Sequence, residues 1–76
     1  MIQSGPQVPR FVTLPDDPLI AAWHLRACLG QSRQVLHLWR TNHRFPASHR
    51  EGWTRFTSTA AVADWLVARG VEVTLR

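Results

Sequence analysis

The sequence feature that most limits the possible folds is a three-residue break, Gly30-Gln31-Ser32, between two amphipathic segments. Glycine tolerates the left-handed conformation that closes a helix, and a serine oxygen can accept a hydrogen bond from the free amides of the next helix. Apolar residues recur at helical spacing on both sides of the break. The sequence therefore predicts two helices, residues 18–29 and 33–42, joined by a tight turn.

Asp17 and Pro18 set the predicted start of the first helix. A carboxylate can cap the free amides there, and proline suits the first helical position because it has no amide to leave unpaired. The predicted buried stripe of this helix consists of Leu19, Ala22, Trp23, Cys28 and Leu29, with Leu25 at its flank.

The second helix is expected to bury one face and to expose a basic, amide-bearing one. Val35, Leu36 and Trp39 form the apolar side, and Leu38 fits neither face. The side chains predicted to project into solvent are Arg33, Gln34, His37 and Arg40.

A β-hairpin is predicted after the second helix. Residues 44–47 and 53–56 read as two extended arms, and the polar segment 48–52, which contains a glycine, reads as the tip. Thr57 or Ser58 then caps a third helix. Its apolar residues are Ala61, Val62, Trp65, Leu66 and Ala68.

Two extended segments lie near the ends of the chain. Residues 71–75 alternate apolar and polar side chains with the period of a strand, and they can pair with residues 10–14 of an extended stretch that begins at residue 8. Residues 1–7 are polar and are expected to fray. One α+β domain spanning residues 1–76 is therefore expected.

The charge balance suits a polyanionic partner. The chain has nine basic residues, all of them arginine, against five acidic ones, for a net charge of +4. Arginine binds phosphate bidentately and matches the guanine edge, which favours nucleic acid, although an arginine-only habit can also reflect codon composition. The single cysteine, Cys28, excludes an intramolecular disulfide and favours a cytoplasmic protein. No apolar run reaches the length of a membrane span.

The turn and the second helix together have the pattern of a helix–turn–helix, which places the N-terminal part of its second helix in the major groove of DNA. Arg33 and Gln34 carry side chains that can bond guanine and adenine edges, and His37 lies one turn further on. The predicted hairpin tip, with His49 and Arg50, forms a wing that follows the DNA backbone or enters the minor groove.

These segments also resemble a known family. The run Ser32-Arg33-Gln34-Val35-Leu36-His37-Leu38-Trp39-Arg40, then Arg44-Phe45-Pro46, then Trp53-Thr54-Arg55-Phe56-Thr57 and Ala61-Val62-Ala63-Asp64-Trp65-Leu66 is similar to the excisionase and AlpA-like (MerR-type) winged helix–turn–helix proteins of phages and mobile elements. The resemblance covers residues 19–69, about two-thirds of the chain.

That resemblance implies a small winged helix–turn–helix domain that binds double-stranded DNA, often in several cooperative copies, as a transcriptional regulator or an excisionase. It implies no cofactor. The residues it places on DNA are Ser32, Arg33, Gln34 and His37 in the recognition helix, His49 and Arg50 in the wing, and Arg40 and Arg44 on phosphates.

Other residue types point to structural roles. All four tryptophans, Trp23, Trp39, Trp53 and Trp65, are expected in the core, and Cys28 is expected to be a small buried hydrophobe. Arg26 and Arg69 are expected to be solvated, away from the docking face. The four histidines lack the spacing of a metal site, and no nucleophile, base and oxyanion donors fall together. The sequence therefore predicts neither a metal centre nor an enzyme.

An alternative function is a protein-interaction module that keeps the same scaffold without binding DNA. Fold alone does not fix function, and an exposed edge at residues 71–75 can add a strand from a partner that is blocked or recruited. Binding to random duplex at low salt distinguishes the two hypotheses.

Overall fold

The computed structural model, which describes residues 7–76, contains three helices and five strands, and the strands form two small sheets. The predicted fraying of residues 1–7 falls almost wholly outside the described residues. In chain order the elements are β1 Phe11–Leu14, β2 Leu19–Ala21, α1 Ala22–Leu29, α2 Arg33–Asn42, β3 His49–Glu51, β4 Thr54–Ser58, α3 Thr59–Val67 and β5 Glu72–Leu75. The predicted α+β class is confirmed.

The two sheets are built differently. β1 and β5 form a parallel pair with Phe11 opposite Glu72, which confirms the predicted pairing of the two terminal segments. β2, β4 and β3 form an antiparallel sheet in that spatial order, so β4 lies in the centre. No helix within residues 7–76 has the length and apolar character needed to cross a membrane.

Twelve apolar side chains form one core between the helices and both sheets. They are Val12, Leu14, Ile20, Leu25, Leu29, Leu36, Trp39, Phe45, Val62, Trp65, Leu66 and Val71. The predicted burial of Trp39 and Trp65 is confirmed. Cys28 is only half-buried and packs against this core, where desolvation raises the pKa of its thiol.

The turn between α1 and α2 follows the sequence prediction closely. Gly30 adopts a φ of 64°, and the amides of Gly30 and Gln31 donate to the carbonyls of Ala27 and Arg26 at 3.3 and 3.1 Å. This pair of bonds is a Schellman motif. The Ser32 hydroxyl accepts a hydrogen bond from the Val35 amide at 3.2 Å and caps α2. The end of α1 and the start of α2 are therefore both fixed by residues close to them in the sequence.

The predicted start of the first helix is wrong. Leu19–Ala21 is a strand, β2, and α1 begins only at Ala22, with no side-chain cap. Ile20 is buried and lies opposite Thr57 of β4, and the Pro18 carbonyl accepts a hydrogen bond from the Thr59 amide at 3.1 Å. Pairing with β4 therefore outweighs the local helix signal of Asp17 and Pro18.

Trp23 was predicted in the core, and the structure leaves its side chain 63% exposed. The buried stripe of α1 is Leu25 and Leu29, four residues apart. At about 100° per residue, Trp23 lies roughly 200° away from Leu25 around the helix axis. The prediction failed because Leu19, its assumed neighbour one turn earlier, belongs to β2.

The hairpin forms, but its tip is not where the sequence placed it. Arg50 pairs with Arg55 and Glu51 with Thr54, so only Gly52 and Trp53 make the turn. Gly52 has a φ of 63°, which suits a two-residue β-turn. The predicted burial of Trp53 is wrong: its side chain is 96% exposed.

Thr57 offers a direct test of core energetics. Its side chain is fully buried in β4, and its hydroxyl has no hydrogen-bond partner among the described residues. Replacing it with valine keeps the shape and removes an unpaired polar group, so Thr57→Val is expected to raise the free energy of unfolding by about 1 kcal/mol. Urea denaturation followed by circular dichroism measures the change. A loss of stability contradicts the absence of a partner for the hydroxyl.

Candidate functional site

The outward face of α2 carries hydrogen-bonding side chains over two turns. Leu36 and Trp39 are buried, and Val35 is half-buried beside them. Arg33, Gln34 and His37 are therefore exposed on the opposite side, as predicted, whereas Arg40, predicted to project with them, is half-buried. Leu38, which fitted neither face in the sequence, is 53% exposed and shares a shallow surface depression with these three residues.

A cleft of about 420 Å³ separates this helix from the hairpin. Its floor and walls come from α1, α2, β3 and β4. Five arginines line it, and no acidic residue does. The arginines are Arg26, Arg33, Arg40, Arg50 and Arg55. We call this feature the arginine cleft, and the two exposed tryptophans, Trp23 and Trp53, also border it.

The cleft arginines have no carboxylate partners. The single ion pair within residues 7–76 joins His49 to Glu51 at 3.1 Å, between Nε2 and Oε2. Arg50 donates instead through Nε to the Gly52 carbonyl at 3.2 Å, and Arg55 donates through Nη1 to the Ser48 hydroxyl at 3.5 Å. The cleft therefore concentrates positive charge that the described residues leave uncompensated.

The register of β3 and β4 places two of the cleft arginines next to each other. Arg50 and Arg55 are direct cross-strand partners in the β3–β4 pair. Side chains opposite one another in a sheet project from the same face, and like charges in that position destabilise the pair. His49 and Glu51 alternate with Arg50 and therefore project from the other face. An anion bound in the cleft relieves this repulsion.

Arg40 connects α2 to the segment that leads into the hairpin. Its Nε donates to the Pro46 carbonyl at 3.0 Å, and its guanidinium lies 5.5 Å from the centre of the Phe45 ring. Burial, and then the charge of Arg55, lowers the pKa of Arg40. Both effects disfavour the cation, and a negative charge nearby favours it.

The structure brings only some of the predicted site residues together. Arg33, Arg40 and Arg50 line the cleft, and Gln34 and His37 lie beside it on the outward face of α2. The other three are Ser32, whose hydroxyl caps α2, His49, which is paired with Glu51 on the far face of β3, and Arg44, which follows α2 outside the lining.

Arg44 and Arg69 have backbone or packing roles that the sequence did not reveal. Arg44 has a φ of 57°, in the left-handed region that a non-glycine residue rarely adopts. Arg69 is exposed, as predicted, but its guanidinium lies 3.9 Å from the centre of the Trp65 ring and donates through Nη2 to the His43 carbonyl at 3.0 Å.

Four residues of the cleft were missed by sequence reasoning: Arg26, Arg55, Trp23 and Trp53. Arg26 was placed away from the docking face and lies in the cleft wall instead. Arg55 lies in the predicted second arm of the hairpin, but Arg50 is assigned to the tip in the sequence prediction, so their cross-strand pairing is not predicted. Nothing in the sequence indicates that α1 and the hairpin tip face the same cleft.

The described residues contain no group of three or more histidine, cysteine or acidic side chains that could hold a metal ion. The chemistry of the cleft is instead that of guanidinium groups beside indole rings, which binds phosphates and flat aromatic surfaces. Comparison with protein-family models, with curated proteins and with solved structures found no match to this chain.

Proposed function

We propose that this chain is a winged helix–turn–helix protein that binds duplex DNA sequence-specifically, as a regulator or excisionase of the phage and mobile-element type. In this proposal α2 enters the major groove and the β3–β4 hairpin is the wing. The sequence resemblance also favours several copies binding cooperatively. The observation that carries the proposal is the arginine cleft, which separates the two elements and contains no acidic residue.

The order of the elements supports the helix–turn–helix part. α1 and α2 are joined by residues 30–32 alone, with a Schellman motif on one side and a serine cap on the other. The hairpin is the next structural unit after α2, separated from it by six residues, and β2 completes the sheet on the other edge of β4. This order places the hairpin across the cleft from α2, which is compatible with a wing beside a recognition helix.

The shape of DNA supports the use of the cleft. One phosphodiester strand separates the major groove from the adjacent minor groove. A protein that places a helix in one groove and a hairpin in the other must therefore accommodate that strand between them. Arginine side chains are well suited to this position, because they bind phosphates bidentately and remain charged.

The outward face of α2 supports specificity. Arg33 can bond O6 and N7 of guanine, Gln34 can bond N6 and N7 of adenine, and the exposed Leu38 offers an apolar contact for a thymine methyl group. The first residues of α2 also present free amides that favour a phosphate. Arg50, in contrast, reaches the backbone from the wing.

The test compares Arg33→Ala with Arg50→Ala. Arg33→Ala is expected to cost about 1–3 kcal/mol of binding free energy at one base position and to relax the preference there. Arg50→Ala is expected to weaken binding to all sequences equally and to lower the salt slope by about one. Titration of a duplex selected from a random pool, and of its single-base variants, measures both effects.

The two variants are matched controls for each other, because each removes one arginine from the same cleft. An equal loss across all sequences for Arg33→Ala contradicts base reading by α2. No binding of the wild-type protein to any duplex at low salt contradicts the proposal as a whole.

One observation favours the alternative, a protein-interaction module. The β1–β5 pair has no third strand within the described residues, so β5 presents an unpaired edge that can accept a strand from a partner. Failure to bind duplex at low salt, together with capture of an extended peptide along β5, is the result expected of that function.

A further inference from the structure

Trp53 is the most exposed large apolar side chain in the described part of the chain. It stands at the outermost point of the hairpin, in a turn of only two residues, and 96% of its surface is accessible. Its ring has no aromatic or cationic partner among the described residues. An indole offers about 150–250 Å² of apolar surface, and this turn leaves nearly all of it in water.

The turn itself does not explain a tryptophan. Two-residue hairpin turns favour asparagine, aspartate and glycine, because those residues accept the backbone angles that the turn requires. Gly52 already supplies the positive φ here. A large ring at the next position contributes nothing to the core, so its position is better explained by a contact outside the chain.

The surroundings of Trp53 indicate the chemistry of that contact. Arg50 lies three residues before it on β3 and Arg55 two residues after it on β4, and the ring borders the arginine cleft. A DNA duplex has phosphates on its outside and stacked base rings inside. Its phosphates can therefore contact the arginines while its bases contact the indole ring at the tip of the hairpin.

We propose that Trp53 is an apolar wedge that enters the minor groove, partly unstacks one base step and bends the duplex. This inference rests on the proposed function and adds a deformation of the DNA to it. Proteins that bind the minor groove insert apolar side chains between base steps and kink the duplex by about 20–90° toward the major groove. Arg50 and Arg55 hold the flanking phosphates while the ring enters.

The experiment measures bending and affinity separately. The selected duplex carries a fluorescent dye at each end, and energy transfer between the dyes is recorded at saturating protein. The wild-type protein is expected to shorten the end-to-end distance to a value that corresponds to a bend of about 20–90°. Trp53→Ala is expected to lose most of that bend and to bind on the order of tenfold more weakly.

Two variants complete the test. Trp53→Phe keeps an apolar ring and is expected to keep most of the bend. Phe11→Ala removes another exposed aromatic, 70% accessible in β1 and outside the cleft lining, and is expected to leave bend and affinity unchanged.

Each outcome decides between the hypotheses. A Trp53→Ala protein that bends DNA as the wild type does overturns the wedge, and so does an equal loss of bend in the alanine and phenylalanine variants. If the wild-type protein binds the duplex and the bound duplex stays straight, the wedge is overturned and the proposed function is not. Absence of wild-type binding to any duplex overturns both.

Discussion

Trp65→Ala is expected to lower the free energy of unfolding by about 3–5 kcal/mol, the usual cost of emptying a buried aromatic site. The Trp65 side chain of α3 packs against the end of α2. The centre of its ring lies 5.2 Å from the ring centre of Trp39 and 4.8 Å from that of Phe45. Its Nε1 donates to the His43 carbonyl at 2.9 Å, and Arg69 covers the ring. Truncation removes all of these contacts together and leaves a cavity between α3 and the end of α2. Urea denaturation followed by circular dichroism measures the loss.

The matched control is Trp23→Ala, which removes the same residue type from an exposed site and is expected to change the unfolding free energy by less than about 0.5 kcal/mol. Trp65→Phe separates packing from hydrogen bonding, because it keeps a ring and loses the Nε1 donor; its expected cost is about 1–3 kcal/mol. Equal effects of Trp65→Ala and Trp23→Ala contradict the central place of Trp65 in the core.

Replacing Arg50 and Arg55 together with threonine is expected to change DNA binding and stability in opposite directions. Each lost phosphate contact lowers the salt slope by about 0.9, so the pair lowers it by about 1.8 and weakens binding on the order of 50-fold at 0.1 M salt. The unfolding free energy is expected to rise by about 0.2–1 kcal/mol, because a like-charge cross-strand pair is removed and threonine retains strand propensity. Duplex titrations at several salt concentrations and urea denaturation measure the two effects.

The control for net charge replaces Arg10 and Arg76, which lie at the ends of the β1–β5 pair and outside the cleft lining. It removes the same two charges, so it is expected to reduce the salt slope by much less than the cleft pair. Similar slopes for the two double variants indicate that net charge alone drives binding. A stability loss in the Arg50 and Arg55 variant contradicts cross-strand repulsion.

The parts of the fold that the sequence determined are those fixed by residues within one turn of each other. Gly30 closes α1, Ser32 caps α2, and Ser58, one of two predicted caps, accepts a hydrogen bond from the Ala61 amide at 3.2 Å. The alternation of side chains two residues apart in residues 71–75 predicted the strand β5. Each of these features depends on backbone geometry or on a bond that spans three residues, so neighbouring letters suffice.

The tertiary structure alone decided β2, the position of the turn and the membership of the cleft. Residues 19–21 carry a helix signal, and they become a strand because β4 has a free edge there. The local sequence pattern predicts Trp23 and Trp53 in the core, and both are exposed. Arg26 and Arg55, 29 positions apart in the printed sequence, meet at one cleft only after α1 packs beside the hairpin. Whether a strand edge is free for pairing, and which elements lie side by side, are properties of the whole folded chain. No short window of sequence contains them.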